Sequence, residues 1–198
     1  MKKLILASSL LFAANMANAN IVVNGSFEDT NQPSGSWAIY NEINGWVAAD
    51  GDAGIEVRNN VQGTASDGVN FVELDSRSNS AMAQTLDTVA GQMYEILFDY
   101  SPRINQPEST NGIEAYWNDE YLGFAADQGG SINLWTTYSV LVTALGQDQL
   151  IFAAIGTSDS FGGNIDNVRV NAVPVPAALP LMASALGMFG VARRRKTA

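Results

Sequence analysis

The sequence predicts an all-β protein, a β-sandwich with jelly-roll connectivity, and three observations carry that expectation. Short apolar stretches recur through the middle of the chain, each bounded by Gly, Asn, Asp, Ser or Pro. Over 93–100 the pattern has a period of two, with Tyr94, Ile96, Phe98 and Tyr100 on one face and Glu95 and Asp99 on the other. Between the termini there is no long amphipathic helical period, and no fixed repeat that would stack into a solenoid.

The chain opens with a segment of a different kind. Lys2 and Lys3 precede an apolar run over 4–14, and Ala17-Asn18-Ala19 supplies the small-x-small pattern of a cleavage site before Asn20. That apolar length suits a signal peptide rather than a membrane span, so residues 1–19 are expected to be removed by a signal peptidase. Strands are then predicted at 21–27, 55–58, 70–75, 81–86, 93–100, 113–117, 121–125, 136–145, 150–155 and 165–170. Turn chemistry fills the gaps: polar residues with one Pro over 30–35, small polar residues over 63–68, NQPESTNG in the 103–112 loop, and the pairs Gly129-Gly130 and Gly162-Gly163.

The far end mirrors the beginning. Residues 177–192 are uncharged, and Arg193, Arg194, Arg195 and Lys196 follow at once. At about 1.5 Å per residue the run reaches ~24 Å as a helix, marginal against a hydrocarbon core of about 30 Å. The basic cluster predicts a cytoplasmic end, with the preceding domain on the other side of the inner membrane. The stretch VPVPAALPLMASALGMFGVARRRK resembles a PEP-CTERM sorting tail in its Val-Pro-x-Pro form, with Val173, Pro174 and Pro176 as the motif and Arg193 to Arg195 in the basic end. The resemblance implies an exosortase-like membrane enzyme as a partner, transient anchoring, and delivery to the cell surface or extracellular matrix of a Gram-negative bacterium. Three segments result: signal peptide 1–19, β-sandwich 20–173 and sorting tail 174–198.

The central segment holds all twenty acidic residues but only Arg58, Arg77, Arg103 and Arg169 as basic ones, a net charge of −16. Nucleic acid is excluded as a partner, because its phosphates require basic neutralisation. With no Cys and no His, disulfides, thiolate nucleophiles, histidine metal sites and the usual serine triad are excluded as well.

Six motifs stand in order through the domain: NGSFED over 24–29, Gly45-Trp46, VELDS over 72–76, FDYSPR over 98–103, GIEAYWN over 112–118 and IDNVRV over 165–170. In that order they resemble secreted proteins of the DUF642 and galactose-binding-like type. The resemblance implies a galactose-binding-like jelly roll whose two ends meet, and a structural calcium whose best-matching ligands are Glu28 and Asp166. Calcium is chemically reasonable, since it takes six to eight oxygen ligands. The other use open to these carboxylates is to cap turns by accepting backbone NH groups.

Glycan recognition needs rings for the apolar faces of sugars and polar groups for their hydroxyls. Tyr116 and Trp117, adjacent in a strand, point to opposite faces, so only one can be core. Trp135, after a glycine-rich run, and Trp37, in a turn-rich region, are further ring candidates; Arg58 and Arg103 are the polar ones. Trp46 is assigned to the core. For an enzyme, Glu73 and Asp75 have the separation of a carboxylate pair, but with Leu74 facing inward both are expected on a wet outer face, where burial would not raise either pKa. The main functional expectation is thus a non-enzymatic surface or exopolysaccharide-matrix protein that contacts polysaccharide or a surface protein. The alternative is a dedicated carbohydrate-binding module with an aromatic-lined, calcium-supported site.

Overall fold

Alternation of side chains across the strands builds two layers, each of six antiparallel strands. In the computed structural model, which describes residues 19–49 and 53–174, the strands are β1 (Ser36–Tyr40), β2 (Glu42–Ile43), β3 (Trp46–Ala48), β4 (Ile55–Asn59), β5 (Asn70–Glu73), β6 (Ala81–Asp87), β7 (Met93–Ser101), β8 (Gly112–Trp117), β9 (Glu120–Ala125), β10 (Thr136–Thr143), β11 (Gln147–Ile155) and β12 (Asn164–Ala172). A single 3-10 turn, Glu108–Thr110, precedes β8. The first sheet has the order β1-β4-β5-β12-β7-β10 and the second β2-β3-β6-β11-β8-β9.

The inner faces meet in one apolar core. Tyr94, Ile96, Phe98 and Tyr100 of β7 point into it, as the period of two predicted, together with Val57, Val72, Leu150, Phe152, Ile165 and Val170. Trp46 is fully buried between Phe27 and Phe152, at ring separations of 6.0 and 6.2 Å. Burying an aromatic of this size removes apolar surface worth about 2–3 kcal/mol, and such rings account for much of the cohesion between sheets.

The opening segment departs from expectation. Residues 21–27 are apolar and β-branched enough to suggest a strand, yet Asn24 and Phe27 adopt left-handed backbone, with φ of 53° and 61°, which breaks extension. A lone bridge joins Asn20 to Asn171, and backbone bonds run from Ile21 N to Val170 O and from Val168 N to Gly25 O. The two ends of the sandwich therefore meet, without the opening segment becoming a strand. In the other direction, β1, β2 and β3 form where no strand was predicted.

The expected flanks need correction. Among the described residues no helix is long and apolar enough to cross a membrane. The signal peptide assigned to 1–19 and the tail assigned to 174–198, with the helix over 177–192 and Arg193, Arg194 and Arg195, lie outside the described residues apart from Ala19 and Pro174. The fold class of the described residues is accordingly an all-β sandwich, and no transmembrane sorting helix is among them.

Candidate functional site

Strand register assembles two rows of side chains on the outer face of the first sheet. Trp37, Arg58 and Phe71 are direct partners across β1, β4 and β5. Ile39, Glu56, Glu73, Asn164 and Ser101 form the neighbouring row across β1, β4, β5, β12 and β7. Residues paired in this way project from the same side of a sheet, so the rows lie against one another.

The centre of the face is an ion cluster. Arg58 donates through Nε and Nη2 to Glu56 Oε1, at 2.8 and 2.6 Å, and through Nη2 to Glu73 Oε2 at 2.5 Å. Arg103 enters from the following loop and donates through Nη1 to both Glu73 oxygens at 2.5 Å. Glu73 also accepts the Gly162 NH. Burial pushes its carboxyl up to about 7, against the opposing pull of Arg58 and Arg103. Two polar atoms of this face are buried without partners, Arg58 Nη1 and Asn164 Oδ1. An unmatched donor and an unmatched acceptor thus flank Glu73.

Rings border the cluster. Trp37 is 53% exposed. Trp135 is half-buried, its indole NH donating to Thr64 O at 3.0 Å and its ring standing edge-on to Phe71 at 5.9 Å. Phe161 lies beneath the Arg103 guanidinium, 4.5 Å from its ring centroid.

This geometry unites four residues picked from sequence, Arg58, Arg103, Trp37 and Trp135, and separates two others. Trp117 belongs to the core, and Tyr116 sits on the outer face of the second sheet, where it meets Tyr121 at 5.7 Å and donates its hydroxyl to Glu114. That bond raises the Tyr116 pKa. Glu73 and Asp75 are not on a wet face, as expected, but fully buried. Glu73 is the hub of the ion cluster. Asp75, past the end of β5 with φ of 91°, accepts the NH groups of Asp159 and Ser160. Sequence reasoning missed that role for Glu73, and missed Phe71 altogether. The available signal was the spacing of Glu56 and Arg58, which places opposite charges on one strand face.

Glu28 and Asp166 are spent on backbone NH groups. Glu28 Oε1 accepts from Val69 N and Asn70 N, while Asp166 Oδ2 accepts from Ser66 N and Asp67 N and its Oδ1 from Asn167 N, all within 2.7–2.8 Å. The two carboxylates grip the same 66–70 turn from either side. Their NH partners present positive hydrogens where a cation would need oxygen, and among the described residues no group of three or more acidic side chains gathers around them. The pair does not fit calcium, and no role for the ion is derived there. Burial raises the Asp166 carboxyl to about 7 despite the three NH donors.

Known structures share this architecture. The chain matches TmCBM61, solved in complex with beta-1,4-galactotriose, at 17% identity and a TM-score of 0.50, covering 78% of this chain and 99% of that one. The K1 cleaved adhesin domain of Lys-gingipain from Porphyromonas gingivalis W83 matches at 17% identity and a TM-score of 0.51, covering 76% and 96%. An arabinose-bound MgGH51 α-L-arabinofuranosidase matches at 11% and 0.52, over 78% of this chain but only 26% of that one. The fold is that of carbohydrate-binding modules. Of the three, TmCBM61 and the adhesin domain are matched along nearly their whole length.

No protein-family model matches the chain. Comparison by sequence with curated proteins returns no match either. The first result overturns the identification with PEP-CTERM proteins, which rested on Val173, Pro174, Pro176 and the arginine cluster, and that with DUF642 proteins, which rested on the six motifs in order. With the PEP-CTERM identification go the exosortase partner, the transient anchor and the surface address drawn from the tail, while the segment assigned to a signal peptidase lies outside the described residues apart from Ala19. Of the two functional expectations, the carbohydrate-binding module is the better supported, ahead of the matrix protein.

Proposed function

We propose that this domain binds a glycan, without transforming it, on the outer face of its first sheet. One observation carries the reading: Trp37, an exposed indole, stands in register beside Arg58, whose buried Nη1 lacks a partner. An exposed indole is a stacking surface for the apolar face of a sugar, whose hydroxyls serve the adjacent polar atoms. Arg58 Nη1 is a donor and Asn164 Oδ1 an acceptor, and a hydroxyl can satisfy either. The ion cluster fixes the guanidinium before the ligand arrives, which lowers the ordering cost of binding. Trp135 and Phe161 provide further ring surface at the borders. The carbohydrate-binding-module fold supports the same reading at the level of architecture.

The test is calorimetric titration of the full chain with β-1,4-galactotriose, after a screen on a broad glycan array. Trp37→Ala is expected to weaken binding of the selected glycan at least about tenfold, the scale on which a lost ring contact registers in affinity. Its melting temperature should stay close to that of the parent, because Trp37 is not core. Undiminished affinity in Trp37→Ala, or an array with no specific signal, defeats the proposal.

A further inference from the structure

The loop 156–161, which follows β11 and wraps the Glu108–Thr110 turn, holds an arrangement the glycan reading does not use. Thr110 is fully buried, and its Oγ1 lies 2.5 Å from Asp159 Oδ1, 2.8 Å from the Phe161 carbonyl oxygen and 3.0 Å from the Thr157 carbonyl oxygen. A threonine hydroxyl carries one hydrogen. It can therefore donate to one of these three acceptors, leaving two close contacts between oxygens with no proton between them. The Phe161 NH reaches Asp159 Oδ1 at 3.2 Å, but no hydrogen stands between the hydroxyl and the two remaining oxygens, and like partial charges held that close repel unless a positive centre stands among them.

We propose that Thr110 Oγ1, Asp159 Oδ1 and the carbonyl oxygens of Thr157 and Phe161 form a calcium site. Four oxygens, of which one is a carboxylate, two are carbonyls and one is a hydroxyl, make a hard donor set of the kind calcium takes, and water completes its coordination. Magnesium suits the set less well, since it holds its own water and favours carboxylates in strict octahedral geometry. Other bonds fix the loop in the required path. Asp75 accepts the NH groups of Asp159 and Ser160 and the Ser158 hydroxyl, and Thr157 N donates to Ser109 O. With a single carboxylate, the affinity belongs in the weak range of extracellular modules, a Kd on the order of 0.1–1 mM.

The site also borders the ion cluster. The same loop carries Phe161 beneath Arg103, the Ser160 carbonyl that accepts from Arg103 Nη1, and Gly162, whose NH reaches Glu73. The inference stands independently of any sugar, because its readout is the metal alone.

The experiment uses the full chain stripped with EDTA, titrated with calcium chloride by calorimetry and melted with and without the ion. One saturable site and a calcium-dependent rise in melting temperature are expected for the parent. Asp159→Asn should abolish both, and Thr110→Val should lower affinity about tenfold or more, while Glu28→Gln keeps them. The readout is the increment due to calcium, so a general loss of stability in the buried Thr110 variant does not imitate the result; Asp159 is exposed and its variant spares the fold. Absence of saturable binding to the parent overturns the proposal. So does an increment that survives Asp159→Asn, or one that is lost in Glu28→Gln instead.

Discussion

Glu73 shows how one side chain can be both legible and misread. Its position in VELD places it opposite Leu74, and Leu74 is core as the alternation requires. What the local pattern does not contain is Arg103, thirty positions away, which covers the carboxylate together with Arg58. Burial by a distant loop turned an expected wet face into an interior one. Removing one partner of a buried ion pair leaves the rest uncompensated, at a cost of about 3–5 kcal/mol. Glu73→Ala is expected to lose stability on that scale in chemical denaturation, since two guanidiniums would face each other without a carboxylate. A cost below about 1 kcal/mol would show that water reaches the cluster freely. The arginine candidates were legible for a different reason: only four occur in the described segment, so each one in a loop or strand end stands out.

At the scale of elements, the strands from β4 to β12 were read from sequence, and the opening β1, β2 and β3 were not. Strand β7 announces itself through seven alternating residues, whereas β2 and β3 have two and three residues and draw their stability from pairing with neighbours. The opening segment erred in the opposite sense, because IVVN carries strand propensity but its neighbours impose left-handed turns at Asn24 and Phe27. That segment is held to β12 by close backbone approach. A Cβ on Gly25 would fall 2.0 Å from Val168 O, a distance no real contact tolerates. Gly25→Ala should therefore cost roughly 2–4 kcal/mol in a denaturant titration, as backbone must move at the junction. If the variant melts like the parent, the opening segment is not docked on β12 in solution.

For the molecule as a whole, charge and burial set a pH dependence. Glu73 and Asp166 both rise to about 7 in the folded chain, above ordinary values of 4.5 and 3.8. Between those limits the folded state holds more protons than the unfolded one, so stability falls as pH rises toward 7. Two other carboxylates act at the acid end. Against the cost of burial, the Ser66 and Thr137 hydroxyls and the Asn167 amide keep Asp99 below its ordinary value, and Thr88, Asn118 and the Leu145 and Gly146 NH groups do the same for Asp148. Their contribution is lost as pH drops below about 4. The melting temperature should thus peak near pH 4–5 and fall by several degrees, roughly 3–8 °C, by pH 8. Asp166→Asn should flatten the decline on the alkaline side. A melting temperature that climbs from pH 5 to pH 8 would contradict the assignment of both groups.

The position of β12 has a consequence for how the chain is made. It lies between β5 and β7, in the interior of the first sheet, yet it is the final strand of the sandwich in order of synthesis. A ribosome must deliver everything up to Asn164 before the sheet's two halves, β1-β4-β5 and β7-β10, can be joined by backbone bonds. Until then both halves expose open edges of the kind that invite pairing with other chains. Asn164 and Asp166, which complete the outer face beside Glu73 and Asp99, arrive at the same moment. Closure of the sheet and completion of the face are one event, and it takes place after the strand has left the exit tunnel.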